Sequence, residues 1–464
     1  TDIILLEKMS ALGGNAIRSG GFIEDLNPGD DRAIEMTDSY TKTIEDMLRA
    51  GPQDDSEKTV WDDLVKAYDE YKASGKTTLF DCPALLAIEY HRVEGSDCEL
   101  NMPYGEIVNT FDDWFINEVG AKMSKMVGIV GYTWPRWTYP TDYTRGNGYF
   151  AYLTQYIKDK DLDITIMTET PATELLTDEN GAVTGVKAES ADGTIYTINA
   201  KKVVLATGGF SANGEMLMEY DTQWGITTPD IKTDNNPGNT GDGITMAQKL
   251  GGATAAMDNI MMFPLSTKGN SDASGAFGFN GSSNLMINTK GVRFVDETAS
   301  RFEICHAIFE QEEPYYYIIS DALNSRVDKM TEEELQKSID AGVVFKGDTL
   351  EELAEKIGVD ADTLKATVEQ YNTACETSND ELFGRTSFAD GSEIVQGPFY
   401  ATALEPCSHI TIGGLVVDDN YAVLTDDGKP IENLYAVGET IVGSCGLSAF
   451  AYGKDLGARL ANAN

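Results

Sequence analysis

The chain has 464 residues, more than a single hydrophobic core usually supports, so two domains are expected. Lysine and arginine together number 35 against 76 aspartates and glutamates, and the net charge of −41 argues against binding to nucleic acid or an anionic membrane, because phosphates would be repelled. A hydrophobic content of 41% is typical of a folded α/β protein, and no apolar run reaches the roughly 20 residues that a membrane-spanning helix needs.

Cysteine and histidine do not form the common metal or redox motifs. The six cysteines include no CxxC or CxxCH spacing, so the zinc, thioredoxin-like and c-type haem signatures are absent. Their even number leaves disulfides open. A histidine-based metal site would need most of the three histidines, so we predict no metal.

The first predicted element is a short strand, in which the apolar run from Ile3 to Leu6 ends at Glu7. In a dinucleotide-binding βαβ unit, the second strand ends in a carboxylate that binds the ribose hydroxyls. The glycine-rich phosphate turn belongs about 20 residues earlier, where the given sequence has no residues. Glu7 is therefore either a ribose ligand, in a fold whose first strand and helix are missing from the given sequence, or an ordinary acid at a strand end.

Glycine-rich junctions follow this strand and recur far along the chain. The segment ALGGNAIRSGGF carries two glycine pairs, which allow the close backbone approach that a flat cofactor needs, although any tight loop needs it too. The later runs VVLATGG and NLYAVGE are also β-rich and end in a small residue and glycine. Three such junctions predict one mononucleotide-type fold assembled from distant segments.

The remaining elements are predicted from periodicity. Residues 29 to 75 have helical apolar spacing, whereas residues 76 to 150 are poorly periodic and rich in aromatic side chains. Residues 162 to 210 are predicted to form strands around two turns, and residues 242 to 250 a helix. From about residue 263 the pattern changes, and two helices are predicted after a capping-box start, at residues 349 to 357 and 360 to 374.

Six motifs occur in an order that identifies a family by resemblance. They are LLEKMSALGGNAIRSGGF, VVLATGGFSAN, NPGNTGDGITMAQKLGG, RFVDETASR, SHITIGGLVVD and ENLYAVGE. This order resembles the flavoprotein family of fumarate reductases, succinate dehydrogenases, soluble flavocytochrome c and urocanate reductase, with 3-ketosteroid dehydrogenases as a related branch. The resemblance implies an α/β fold, in which a Rossmann-like FAD-binding domain (residues 1–261 and 409–464) carries an inserted α+β capping domain (residues 262–408).

The resemblance implies FAD as the cofactor. No histidine lies between Asn15 and Gly21, where membrane-bound relatives attach the flavin, so we expect non-covalent FAD. The residues that the resemblance assigns to the cofactor are Glu7, Lys8, Gly13, Gly14, Ser19, Gly20, Gly21, Ala206, Thr207, Gly208, Gly438, Glu439 and Ser448.

Reduction of an activated C=C bond also needs a proton donor and fixed positive charge near the activating carbonyl. The resemblance assigns the proton to Arg301, which ends RFVDETASR, and substrate binding to His409 of SHITIGG. The alternative for Arg301 is a salt bridge to Asp296 or Glu297, and the alternative for His409 is a structural role. Arg293 is expected to be structural.

Three anion-binding elements of the dicarboxylate reductases are replaced here. Phe263-Pro264 stands where those enzymes have His-Pro, FGFNG at residues 277–281 replaces their proton pathway, and the loop at residues 443–450 has lost its arginine. A second carboxylate would be costly to bury without partners, so the substrate is not expected to be fumarate. Phe263, Gly414 and Arg136 are candidate substrate contacts, with the aromatic cluster at residues 132–152 forming either the pocket wall or ordinary core.

The sequence therefore predicts an FAD-dependent reductase of an activated C=C bond, in an α,β-unsaturated carboxylate or enone that is larger and less charged than fumarate. A 3-ketosteroid dehydrogenase-like enzyme and a non-catalytic flavin electron carrier remain as alternatives. The electrons are expected from an external redox protein or from a domain that the given sequence lacks. Acidity and family habit suggest export, while the substrate, the direction of reaction and the oligomeric state stay open.

Overall fold

The structure is a computed structural model of the chain. It describes residues 3–26, 28, 31–129, 132–144, 146–268, 284–313, 315–323, 331–385, 387–444 and 446–462.

The chain forms two compact units, and both are assembled from separated segments. The first unit contains Thr1–Tyr220, Asn235–Ile260 and Ile410–Asn464. The second unit contains Asp221–Asp234 and Met261–His409.

Runs of consecutive helices and runs of consecutive strands follow one another along the chain. The described strands are β1 (Ile3–Leu6), β2 (Ile23–Glu24), β3 (Trp137–Thr138), β4 (Ile164–Met167), β5 (Ala172–Thr177), β6 (Val183–Glu189), β7 (Ile195–Asn199), β8 (Val203–Leu205), β9 (Thr254–Ala255), β10 (Ile260–Thr267), β11 (Leu285–Ile287), β12 (Tyr316–Asp321), β13 (Val344–Gly347), β14 (Phe399–Thr411), β15 (Gly414–Leu415), β16 (Ala422–Leu424) and β17 (Pro430–Ala436). The described helices are α1 (Asp38–Ala50), α2 (Asp55–Ser74), α3 (Pro83–Glu94), α4 (Cys98–Asn117), α5 (Asn147–Asp159), α6 (Gly214–Tyr220), α7 (Asp242–Gln248), α8 (Arg301–Phe309), α9 (Glu332–Asp340), α10 (Leu350–Ile357), α11 (Ala361–Thr377) and α12 (Ser448–Asn462).

The observed division differs from the predicted domains in one segment. The predicted boundaries, after residues 261 and 408, each lie one residue from an observed boundary. Residues 221–234 were expected in the first unit but belong to the second. Trp224 gives the physical reason, because its ring stacks on His306 of α8 with the two centroids 4.3 Å apart.

The first unit contains two pairs of parallel strands, and within each pair the carboxyl ends of the strands lie at the same edge. Strand β1 runs parallel to β4, and β8 runs parallel to β17, whose other neighbour is β16. Strands β5, β6 and β7 form a separate antiparallel sheet. In open α/β sheets, ligands bind beyond the carboxyl ends of the strands. A ligand is therefore expected beside the residues that follow β1, β8 and β17.

Two helices of the first unit, α3 and α4, lie in the stretch that sequence periodicity left unassigned. Helix α3 has buried residues on several sides, including Leu85, Leu86 and Ile88, so it lacks the one-sided apolar stripe of a surface helix. Helix α4 contains Pro103, which usually indicates the end of a helix rather than its interior. The predicted helices before residue 75 and around residues 349–374 correspond to α1, α2, α10 and α11.

The second unit is a sheet with helices on both faces. Its strands are ordered β10-β14-β12-β11, and β13 also pairs with β14. Alternate residues of β12 face opposite sides: Tyr317 and Ile319 pack with α10 and α11, whereas Tyr316 and Ile318 pack with α8. Because both faces are covered, all six residues of β12 are buried. This packing fixes the position of α8 on the sheet.

A buried ion cluster holds the loop that leads into α8. Glu297 is fully buried and accepts bidentate hydrogen bonds from Arg293 at 3.0 and 2.8 Å, and a third bond from Arg385 at 3.0 Å. Arg293 also pairs with Asp380 at 2.8 Å. Arg293 and Glu297 are therefore structural, and both partners of Glu297 would be left as poorly compensated buried charges if its carboxylate were removed.

The Glu297→Gln variant is expected to lose about 3–5 kcal/mol of unfolding free energy, because two buried guanidinium groups lose a charged partner. A matched variant, Glu333→Gln, removes one carboxylate from the exposed Glu333–Lys337 pair of α9 and is expected to change it by less than about 1 kcal/mol. Denaturant titration followed by circular dichroism measures both. Equal losses in the two variants would contradict the structural role of Glu297.

Candidate active site

The end of β1 presents a carboxylate with one oxygen available. Glu7 Oε1 accepts a hydrogen bond from the Met9 amide at 2.7 Å, and no partner for Oε2 occurs among the described residues. The neighbouring Lys8 is not free, because its amine contacts Asp242 at 2.7 Å and the Thr240 hydroxyl at 2.6 Å. Glu7 can therefore accept a hydroxyl group, while Lys8 ties the end of β1 to the start of α7.

The glycine-rich loop after β1 needs its glycines for conformation. Gly13, Gly14 and Gly21 have φ angles of 118°, 46° and 84°, which side chains with a Cβ rarely adopt. The loop is anchored by Asn15, whose Oδ1 accepts a hydrogen bond from the Asn236 amide at 2.7 Å. Its backbone is thereby held in one tight conformation, as a flat ligand lying on it would require.

Glu439, directly after β17, joins the loops of the first unit. Its Oε1 accepts hydrogen bonds from the Thr411 amide at 3.2 Å and the Ser211 hydroxyl at 3.4 Å. Burial raises the pKa of this carboxyl, and hydrogen bonds from Thr411, Asn239 and Asn15 partly oppose the rise. The carboxylate thus connects four segments that are far apart in sequence. Its direct contact with a flavin hydroxyl stays a prediction.

The segment after β8 has exposed residues at its start and is packed closely against other residues at Gly208. Ala206 and Thr207 are exposed at the carboxyl end of the strand, and Gly208 has a φ of 77°. A Cβ on Gly208 would lie 2.3 Å from Oδ1 of the buried Asn239. Small exposed residues at this end of a parallel strand, with a free carboxylate oxygen on Glu7, fit a dinucleotide such as FAD.

The other predicted cofactor residues take several positions. Ser19 accepts a hydrogen bond from the Gly21 amide at 3.2 Å and so stabilises the glycine loop. Gly438 has a φ of 70° and begins a short 3-10 helix. Ser448 is buried at the start of α12, with its hydroxyl 3.0 Å from that of Ser444. Gly20 is exposed.

In the second unit, both predicted catalytic side chains contact the same aromatic ring. The guanidinium carbon of Arg301 lies 5.1 Å from the centroid of the Phe263 ring. The imidazole of His409 is stacked on that ring, with centroids 4.8 Å apart. His409 Nδ1 is 2.7 Å from Asp234 Oδ2. A cation and an imidazole therefore contact one phenyl ring, and a carboxylate pairs with the imidazole. We call Phe263, Arg301 and His409 the Phe263 cluster.

Regular structure positions each member of the Phe263 cluster. Phe263 lies on β10 and His409 on the neighbouring strand β14. Arg301 is the first residue of α8, after an N-terminal capping box made by Ser300 and Glu303. A cation is unfavourable at a helix N-terminus, by about 0.3–1 kcal/mol. No ion pair of Arg301 with Asp296 or Glu297 occurs in the described part of the chain, so the guanidinium remains available.

Two candidate substrate contacts are corrected by the structure. Arg136 is fully buried in the first unit, where it pairs with Asp81 at 2.8 Å and Glu89 at 3.3 Å. Burial raises the pKa of Asp81 to about 7 in spite of the Arg136 charge. Gly414 is also buried, and a Cβ there would lie 2.6 Å from the Thr440 carbonyl oxygen. Arg136 is a core ion pair and Gly414 a close backbone contact, so neither faces a substrate.

Three of the eight aromatic rings at residues 132–152 belong to the core of the first unit, whereas Tyr139 and Tyr143 are exposed. Trp134, Trp137 and Tyr149 are nearly or fully buried. The residues 277–281 that replace the proton pathway lie outside the described residues.

Sequence reasoning missed Asp234 and Asn239, both in the polar segment KTDNNPGNTGDG. Their role depends on partners, His409 and Glu439, that lie far away along the chain. The run of amide and carboxylate side chains was a signal that the segment makes side-chain contacts, but it could not identify those contacts.

The part of the chain that the structure describes shows neither a cluster of metal ligands nor a membrane-spanning helix. Over the ranges that the structure describes, no three His, Cys, Asp or Glu side chains are grouped as metal ligands. Within the same ranges, no helix is long and apolar enough to cross a membrane. The five described cysteines, which exclude Cys445, are buried and free.

Comparison with known families agrees with the geometry of the first unit. The family profile described as "FAD binding domain" matches residues 1–451. The chain belongs to this family of FAD binding domains, and the resemblance predicted from its motifs is confirmed.

Similar proteins include reductases of activated C=C bonds. The chain is 32% identical over 489 residues to the NADH:acrylate oxidoreductase of Vibrio harveyi, a match that covers 98% of this chain and 47% of that protein. It is 30% identical over 480 residues to the urocanate reductase of Eggerthella lenta, covering 99% and 70%. The chain thus spans about half the length of the Vibrio harveyi protein.

A solved structure shares the fold. The open conformation of a flavocytochrome c3 fumarate reductase matches with a TM-score of 0.70 and 24% identity, over 98% of this chain and 72% of that one. The predicted fold class, a Rossmann-like FAD-binding domain with an inserted capping domain, is confirmed.

The Gly208→Ala variant is expected to weaken FAD binding by about tenfold or more. Its Cβ would displace Asn239 and disturb the Glu439 contacts, in addition to the strain of about 1–2 kcal/mol at positive φ. Gly181→Ala is the matched control, because Gly181 has a φ of 86° but open space around it. Flavin content per protein, measured by absorbance, should fall only in the first variant. Equal flavin content in both would contradict this.

Proposed function

We propose that the protein is an FAD-dependent reductase of an activated C=C bond, in an α,β-unsaturated monocarboxylate or enone. The observation that carries the proposal is the Phe263 cluster, which brings Arg301 and His409 together on one ring. The names of the two relatives support it, since one reduces acrylate and the other urocanate.

The residues of the Phe263 cluster have separate tasks in this reaction. When bound and reduced, the flavin would supply a hydride to the β-carbon of the substrate. Negative charge then develops on the α-carbon and the activating carbonyl. His409 binds that carbonyl or carboxylate oxygen through Nε2, since Nδ1 is engaged by Asp234. Arg301 gives a proton to the α-carbon. A guanidinium is a weak acid in water, so the step needs the carbanion-like carbon directly beside it.

The nature of Phe263 favours a substrate with one anionic group. Its phenyl ring lies beside His409 and has no hydrogen-bond donor for a second carboxylate. A carboxylate without a partner in such a place costs several kcal/mol. Acrylates with an apolar or aromatic substituent fit better than fumarate.

The cofactor is proposed to be dissociable, and the electrons to come from outside the chain. No histidine lies between Asn15 and Gly21 that could form a flavin bond of the kind found in membrane-bound relatives. Acid precipitation should therefore leave all the flavin in the supernatant; flavin that stays with the pellet would contradict this.

Export of the protein is also proposed, because its net charge is −41. Cell fractionation tests this proposal.

The function is tested by reducing the flavin of the full protein without oxygen and mixing it with acrylate, cinnamate, urocanate or fumarate. We expect at least one monocarboxylate to reoxidise the flavin more than tenfold faster than fumarate, as its lone carboxylate needs only His409. Reoxidation by none of these would contradict the proposal and favour an electron carrier. Flavin reduction by a saturated 3-ketosteroid would favour a dehydrogenase.

The role of Arg301 is tested by Arg301→Gln, which keeps a long helix-forming side chain but removes the proton donor. We expect reoxidation to slow by about 10²–10⁴-fold, the usual contribution of a general acid. Arg459→Gln is the control, because Arg459 pairs with Asp455 in α12, in the other unit. If the two variants react at the same rate, Arg301 is not the acid.

A further inference from the structure

His409 is paired with a carboxylate from a distant part of the sequence. Asp234 Oδ2 lies 2.7 Å from His409 Nδ1, and the side chains of Asp234 and His409 are only 12% and 27% exposed. The contact between the two side chains is therefore largely shielded from solvent. It also commits one nitrogen of the imidazole and leaves Nε2 as the only ring nitrogen for a ligand.

The backbone around Asp234 is fixed beside β14. Thr233 forms a parallel bridge with Ser408, the Ser408 amide donates to the Lys232 carbonyl at 2.8 Å, and the Thr233 hydroxyl donates to the Ser408 carbonyl at 3.2 Å. Residues 232–234 therefore run as a short extra strand along the end of β14. This ladder fixes the backbone of Asp234, and with it the base of the side chain that carries the carboxylate.

The same segment also contacts α8. Trp224 is 5% exposed, stacks on His306 and packs edge-on against Phe302, with 5.2 Å between ring centroids. Residues 221–234 thus touch the helix that begins with Arg301 and the strand that carries His409. This double contact explains why the segment belongs to the second unit.

We propose that Asp234 is a positioning residue for His409: it holds the imidazole by Nδ1 and balances the ring's positive charge when the substrate carboxylate binds to Nε2. The inference rests on the proposed reductase function. A neutral imidazole that donates from Nδ1 has only a lone pair at Nε2 and would repel an anion. The ring must therefore carry both protons while it binds a carboxylate, and a nearby negative charge stabilises that form.

The chain contains a second pair of the same type. His91 Nε2 lies 2.7 Å from Asp54 Oδ2 in the first unit, and His91 Nδ1 is 2.9 Å from the Ser96 carbonyl oxygen. Burial lowers the pKa of His91, but the hydrogen bonds to Asp54 and Ser96 outweigh it, so the net pKa is raised. This pair, which belongs to the first unit, provides an internal control.

The first test compares Asp234→Asn with Asp54→Asn in the full protein with FAD. Asparagine keeps the size and one acceptor but removes the charge, and it is also an acceptable N-cap for α2, which Asp54 caps. We expect Asp234→Asn to raise KM for the monocarboxylate at least tenfold, with a smaller change in kcat and unchanged flavin content. Asp54→Asn should leave both constants unchanged. An unchanged KM in Asp234→Asn would overturn the inference.

The second test uses the fact that the chain has only three histidines, so that each can be resolved in protein labelled with ¹⁵N-histidine. Adding 3-phenylpropionate, a saturated analogue, to the oxidised parent should move the His409 signals to those of a doubly protonated ring. The shift should be absent in Asp234→Asn. Unmoved His409 signals in the parent, with the analogue bound, would overturn the inference even if the variant does not fold.

Failure of the proposed function gives a different result. If the reduced parent protein transfers no electrons to any enoate, the reductase proposal is wrong. If the parent turns over but Asp234→Asn has the parent's KM and His409 spectrum, only the role of Asp234 is wrong.

Discussion

The contact of one phenyl ring with a guanidinium and an imidazole is the constraint on which the proposed chemistry of this protein depends. Phe263 brings Arg301 and His409 close together without hydrogen-bonding to either. The cation–π contact of the exposed Arg301 contributes about 0.5–1 kcal/mol, enough to favour one arrangement of its long side chain. The antiparallel sheet, the capped start of α8 and the buried Glu297 cluster all hold the backbone on which this arrangement is built.

Glu439 has a comparable part in the first unit. A single carboxylate accepts hydrogen bonds from the loops that follow β1 and β8, from the last residue of β14 and from the segment before α7. These loops, which carry most of the predicted FAD-binding residues, are therefore fixed against one another. In each unit, one side chain contacts segments that are distant in sequence: Glu439 in the first unit and Phe263 in the second.

Much of this was predictable from the sequence, because the informative signals are local. The glycine junctions, the order of six motifs, and the positions of Arg301 and His409 within them identified the family and the candidate residues. The role of Asp234 could not be predicted, since its partner lies 175 residues away. Arg136 was misread for the same reason, as its buried partners are also distant. Helices α3 and α4 were missed because burial on several sides and an internal proline remove the usual periodic pattern.

The most direct test of the central claim is a crystal structure of the full protein with FAD and 3-phenylpropionate. The account predicts the carboxylate of the analogue at hydrogen-bond distance from His409 Nε2, its aromatic group near Phe263, and the guanidinium of Arg301 about 3.5 Å from the α-carbon. A carboxylate bound by other residues, with Arg301 and His409 both distant from the analogue, would contradict the account.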